Sequence, residues 1–143
     1  MKKLFLAAAA GAAMLIATMA GASAASLVAH IDVSSQTMTV SKNGFPVHHW
    51  KVSTARKGYS TPRGTYRPQR MARMWYSRKY DNSPMPHSVF FRGGYAIHGT
   101  NHLKALGRPA SHGCVRLHPS NAAELFSMIK QVGSGNTRIV ITN

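Results

Sequence analysis

One thiol stands among the 143 residues, Cys114, and the groups around it could put it to chemical use. The local run is Ser111-His112-Gly113-Cys114-Val115-Arg116-Leu117, and His98 stands upstream in Tyr95-Ala96-Ile97-His98-Gly99-Thr100. A free thiol near its reference pKa of about 8.5 is only a few per cent thiolate at neutral pH, so a nucleophilic Cys114 needs a base or a positive neighbour. An imidazole within reach of the sulfur could hold its proton as an ion pair and later pass it to a departing amine. His98 and His112 are the candidates. His112 is two residues from Cys114 and points to the same side of an extended segment, whereas His98 must arrive from a neighbouring strand or loop. Gly113 would let substrate approach the backbone closely, and the N–H groups near His112, Gly113 and Cys114 could turn toward a developing oxyanion.

The base needs an orienter, and the only carboxylates, Asp32, Asp81 and Glu124, lie outside this stretch. The expected orienter is a backbone carbonyl of the Gly99-Thr100 turn, or Ser111 and His112 through hydrogen bonds. Arg116 shares its side of an extended segment with Cys114, so it is expected to clamp a substrate carboxylate, the alternative being a surface salt bridge. His102 and His118 complete a group of histidines around the thiol. Their spacing follows a Gly-Thr turn rather than a helix and there is no second cysteine, so no metal site is expected and both read as supporting or surface groups.

This constellation resembles the L,D-transpeptidase catalytic domain, the YkuD family. Ser111-His112-Gly113-Cys114 matches the family's Ser-His-Gly-Cys signature, Gly94 to Thr100 looks like the stretch carrying its histidine, and Thr61-Pro62-Arg63-Gly64 looks like its Thr-Pro-x-Gly segment. Arg116 stands where many members have Asn. The resemblance implies Cys114 as nucleophile, His98 as base, peptidoglycan stem peptides as substrates and no cofactor. A thioacyl-enzyme would be resolved by an amine, making a cell-wall cross-link or attaching a protein. Water in place of the amine would make the protein an L,D-carboxypeptidase or endopeptidase on the same scaffold; with Cys114 incidental, it would be a noncatalytic, basic envelope-binding module.

The elements that must position these groups are mostly strands. Leu27 to Val33 and Gln36 to Val40 alternate in polarity across a Ser34-Ser35 turn. Asn43-Gly44 then supplies the positive φ of a tight hairpin into Val47 to Val52. Residues 55–94 are broken by Pro62, Pro68, Pro84 and Pro86 and by four glycines, and read as turns and short strands in a long irregular excursion, which the resemblance implies covers the active-site entrance. Trp75 and Tyr76 would wall a peptide substrate there. Ala122, Leu125, Phe126, Ile129 and Val132 recur at helical steps between Pro119-Ser120 and Gly133, and Thr137 to Thr142 is a final strand. Together these predict a β-rich α+β domain: a small sheet sandwich or partial barrel of mixed strands, with one helix of the C-terminal half packed on it.

Residues 1–24 read as a secretory leader, with basic Lys2 and Lys3, an Ala-rich apolar core and an Ala22-Ser23-Ala24 cleavage site, leaving 25–143 as the catalytic domain without a stable membrane span. A lone cysteine in an exported chain cannot form an internal disulfide, and an exposed thiol there is a liability unless it is used. The formal charge is +15, or +13 without the two leader lysines. Such a balance favours polyanions through attraction that salt screens. Basic residues alternate with aromatics between Arg56 and Tyr80, as in single-strand nucleic-acid grooves. An exported protein meets the anionic envelope instead, so the expected location is the periplasm or cell envelope, with no nucleic-acid partner.

Overall fold

Asn43 and Gly44 adopt φ of 50° and 84°, the two positive values that a two-residue turn needs to match the twist of its flanking strands. A computed structural model describes residues 24–143, so the leader read from residues 1–24 lies, but for Ala24, outside the described residues. Strands β1 (Leu27–Asp32), β2 (Thr37–Lys42) and β3 (Phe45–Lys51) form the expected antiparallel meander. Leu27, Ala29 and Ile31 of β1 are fully buried and meet Met38 and Val40 of β2, as the alternation in sequence requires.

Residues 55–94 depart from expectation. After a short β4 (Gly64–Tyr66), β5 (Arg70–Ser77) and β6 (Ser83–Arg92) make one long antiparallel hairpin rather than an irregular excursion. The prolines misled because strand interiors rarely accept them. Pro84 and Pro86 have the same parity on β6, opposite Tyr76 and Met74, while β7 pairs with β6 only from Val89 onward. Their missing N–H groups therefore fall on the uncovered side, and the ladder to β5 survives.

Strand β7 (Tyr95–Gly99) follows β6, and β8 (Val115–Leu117) joins it in parallel, giving a sheet of order β5-β6-β7-β8. Helix α1 (Pro119–Val132) begins with proline in its first turn and His118 as N-cap, whose Nδ1 accepts from the Ser120 N–H at 3.2 Å. Strand β9 (Thr137–Thr142) returns parallel to β1, completing the second sheet, β3-β2-β1-β9-β4. One apolar core joins both sheets through Ile31, Phe91, Val115 and Ile139 with Leu125 and Ile129 of α1. Its parity leaves Ala96, His98, Cys114 and Arg116 on the other face of β7 and β8. No described helix is long and apolar enough to cross a membrane.

Candidate active site

The parallel register pairs Ile97 with Val115 and His98 with Arg116, so Ala96 lies beside Cys114 one step back. Paired residues point to the same face, which brings His98, Cys114 and Arg116 onto one patch of two adjacent strands. All three line a cavity of about 530 Å³ roofed by the end of the β5–β6 hairpin. Cys114 is partly exposed and packs against a small apolar floor of Met85, Phe90 and Ala96.

His98 is only 6% exposed, and its Nδ1 stands 2.7 Å from the Gly99 carbonyl. A carbonyl only accepts, so Nδ1 carries the proton and Nε2 is left as the basic nitrogen. Gly99 itself has no room for a Cβ, which would meet Pro86 Cγ at 3.0 Å and Pro119 Cα at 3.2 Å. This position thus fixes the strand end against the helix start while its carbonyl sets the ring.

Burial pushes the His98 pKa down to about 4, with Arg116 adding to the depression and the Gly99 carbonyl opposing it. Burial likewise pushes the Cys114 thiol up, against opposing help from the Ala96 N–H and the Arg116 guanidinium. The two shifts agree in favouring the uncharged forms. Both groups therefore rest uncharged, a neutral thiol and a neutral imidazole rather than the ion pair expected from reference pKa values, because burial outweighs the Gly99 hydrogen bond at His98 and the Ala96 N–H and Arg116 charge at Cys114. Neutral His98 is still a competent base, provided that proton transfer accompanies attack.

Ser111 and Gly113 build the turn that presents the thiol. Buried Ser111 donates its hydroxyl to the Cys114 carbonyl at 2.6 Å and accepts from the Gly113 N–H at 3.0 Å. The Gly113 N–H is thereby committed, which removes it from the expected oxyanion donors and leaves those of His112 and Cys114. Gly113 does not open the backbone to substrate either. Its φ is +135°, and a Cβ there would lie 2.5 Å from Tyr95 Cε1 and 3.0 Å from the Ser60 carbonyl oxygen, so its missing side chain admits the protein's own atoms. His112 stacks on Tyr80 from the hairpin tip, with centroids 4.0 Å apart and planes at 7°, and meets Tyr59 edge-on. Orientation of His98 belongs to the Gly99 carbonyl; the hydrogen bonds of Ser111 go to the turn instead.

The bland alternative for Arg116, a surface salt bridge, fails. It is half-buried, its side chain donates to the Ala110 carbonyl at 3.4 Å, and the one contact with salt-bridge geometry among the described residues is His48 with Glu124 at 3.7 Å. Trp75 lines the cavity and meets Phe90 edge-on at 5.5 Å. Tyr76 does not line it: this residue is 55% exposed and borders a second hollow of about 220 Å³ with Met74, Arg78, Asn82 and Trp75, which thus touches both spaces. His102 sits at the cavity rim and His118 caps α1. No three His, Cys, Asp or Glu side chains among the described residues come together as a metal group.

Thr61 was part of the Thr-Pro-x-Gly match, but its task was not legible there. Its buried hydroxyl donates to the Gly113 carbonyl at 2.9 Å and accepts from the Ala55 N–H at 3.0 Å, tying the thiol-bearing turn to the strand-like segment beside β8. Thr61→Val keeps the shape and strands both backbone groups. The expected loss is about 2 kcal/mol in urea unfolding, with Thr61→Ser close to wild type; equal midpoints for the valine variant and wild type would contradict this account.

The family model described as the L,D-transpeptidase catalytic domain, YkuD, matches residues 26–141. The YkuD protein of Bacillus subtilis strain 168 is 24% identical over 115 residues, covering 78% of this chain and 63% of the relative. An L,D-transpeptidase from Mycobacterium smegmatis superposes with a TM-score of 0.75 at 23% identity, over 83% of this chain and 59% of that one. L,D-transpeptidase 3 from Mycobacterium tuberculosis, solved with a faropenem-derived adduct, gives 0.70 at 23% identity, over 83% and 61%. At these identities the structures speak for the fold. This chain spans somewhat under two thirds of the length of each of the three.

Proposed function

The chain belongs to the L,D-transpeptidase catalytic domain family, and from that premise we propose that it is a cysteine acyltransferase acting on peptidoglycan stem peptides in the cell envelope. The observation that carries this reading is the placement, on adjacent strands and lining one cavity, of Cys114, whose thiol lies 3.8 Å from the Gly94 carbonyl, and a His98 whose Nδ1 is tied to the Gly99 carbonyl. As Nε2 of His98 takes the thiol proton, the sulfur attacks the amide carbonyl next to the L-centre of the diamino acid. Negative charge on the carbonyl oxygen is met by the N–H groups of His112 and Cys114. The C–N bond then breaks, the amine leaves with the proton held on His98, and a thioester remains. An amine from a second stem, or from a protein, attacks the thioester; its proton passes through His98 to the departing sulfur, restoring the thiol. One amide is exchanged for another, so the reaction draws on no external energy source.

The test is intact-mass spectrometry of residues 25–143 with a tetrapeptide stem donor and with a penem, the adduct being mapped by digestion. An acyl adduct on Cys114, resolved by an added amine to a cross-linked product, is the expected result. Adducts elsewhere, or none, would defeat the reading.

The depressed His98 pKa predicts the pH profile. Acylation should stay constant from neutrality down to about pH 5 and fall only as His98 protonates near pH 4. Since the folded pKa lies below that of the unfolded chain, the neutral ring also contributes stability that is complete above about pH 6.5 and is lost as pH falls toward 4. An acid limb centred near 6.5 would show that His98 is not the base or is not desolvated.

A further inference from the structure

The cavity is unbalanced in charge: Arg70, Arg78, Lys79 and Arg116 line it and no acidic residue does. Two of these cations are held by the fold. Arg116 is half-buried beside Cys114, with only the weak contact to the Ala110 carbonyl. Arg70 lies at the far wall, its guanidinium carbon 4.1 Å from the centroid of Phe90 and 4.6 Å from that of Trp75. Phe90 is buried, so the guanidinium rests on a fixed ring, while no hydrogen bond or ion pair among the described residues engages its edge. A planar fork resting against two rings, with no hydrogen-bond partner among the described residues, suits bidentate recognition of a carboxylate.

Sheet register sets the spacing of the two cations. Arg70 pairs with Phe90, Phe90 with Ala96, and Ala96 lies beside Cys114, so these residues form one row across four strands. Three inter-strand steps place the Arg70 and Cys114 Cα atoms roughly 14 Å apart. Between them the floor is apolar, formed by Phe90, Ala96 and Met85. A peptide rising about 3.3 Å per residue crosses that floor in a few residues.

Resting on the acyltransfer reading, we propose that Arg70 is a specificity-determining residue that selects acyl donors carrying a second free carboxylate, upstream of the scissile amide, over donors in which that carboxyl is a primary amide. Arg116 takes the carboxylate nearest the reacting carbonyl. Trp75 and Phe90 hold Arg70 at the distance of the second. Amidation removes the charge and puts N–H groups against a donor-only guanidinium, which is how the site rejects it.

The experiment compares kcat/KM for two synthetic tetrapeptide donors that differ only in whether the residue before the diamino acid carries a free carboxylate or its amide. Wild type is expected to favour the acid by about tenfold or more, the worth of one charge-assisted hydrogen-bonded pair. Arg70→Gln should bring the ratio down at least fivefold, and Arg70→Lys, which keeps charge without the fork, should fall between. Circular dichroism reports whether each variant is folded, and either folded variant decides the matter. A wild-type ratio near one, or a ratio the variants leave unchanged, overturns the assignment of Arg70. Penem acylation of wild-type Cys114 separates the two failures: if it occurs, only the selectivity is lost, and if neither penem nor donor acylates, the reaction reading falls and the selectivity with it.

Discussion

Replacing His98 with alanine is expected to slow acylation of Cys114 by about a thousandfold at neutral pH, within the range that a positioned general base supplies. The size follows from the resting state of the pair. Burial raises the Cys114 thiol above its usual pKa, so little thiolate exists for a variant to fall back on. In a protein whose thiol is already ionised, loss of the histidine would be milder at high pH and also at neutrality. Here the deficit should shrink only as hydroxide takes over: the variant's rate should climb about tenfold for each pH unit, while wild type stays flat. Rates of penem acylation followed by mass spectrometry between pH 5 and 9 measure both slopes. Ultraviolet absorbance of the wild-type thiol gives a second reading, with no thiolate band expected at pH 7. A His98→Ala rate within tenfold of wild type at pH 7, or a thiolate band that disappears with His98, would overturn the neutral-pair account.

How much of this was legible beforehand depended on whether the information was local. Thr137 to Thr142 could be read as a strand to the residue, and α1 between Pro119 and Gly133, because alternation, apolar period and caps lie within the segment. Asn43-Gly44 specified its turn for the same reason. The pairings that build the site are not local. Nothing in Tyr95 to Gly99 reports that Val115 to Leu117 will lie alongside it in parallel, although that register puts His98 and Cys114 on one face. The β5–β6 hairpin was hidden by Pro84 and Pro86, whose harmlessness rests on which side of β6 lacks a neighbour. Reference pKa values likewise say nothing of burial, and burial reverses the expected ion pair. The motif residues were visible as chemistry; their division of labour was not. Ser111, Gly113 and Thr61 shape the turn, Gly99 orients the base, and Tyr76, chosen for its type, faces away.

Gly113→Ala, the smallest change available in the motif, is expected to cost about 3 kcal/mol or more of stability and at least a hundredfold in acylation. Two separate penalties add. A φ of +135° is a conformation that residues with a Cβ rarely adopt, worth on the order of 1–3 kcal/mol. The new methyl would also lie 2.5 Å from the Tyr95 ring and 3.0 Å from the Ser60 carbonyl. The ring could swing aside, but the carbonyl is backbone in the same loop as Thr61, whose hydroxyl holds the Gly113 oxygen. Any shift that relieves the clash therefore moves the peptide leading directly into Cys114, and displacements near 1 Å can cost two orders of magnitude in rate. Urea unfolding measures the first effect and penem acylation the second. Removing the ring in Gly113→Ala/Tyr95→Ala should return part of the stability, with a coupling of about 1 kcal/mol between the two sites, while the backbone penalty stays. A stability within about 0.5 kcal/mol of wild type together with a rate within twofold in Gly113→Ala would mean that the turn adapts without moving the sulfur, and that Gly113 is not what holds Cys114 in place.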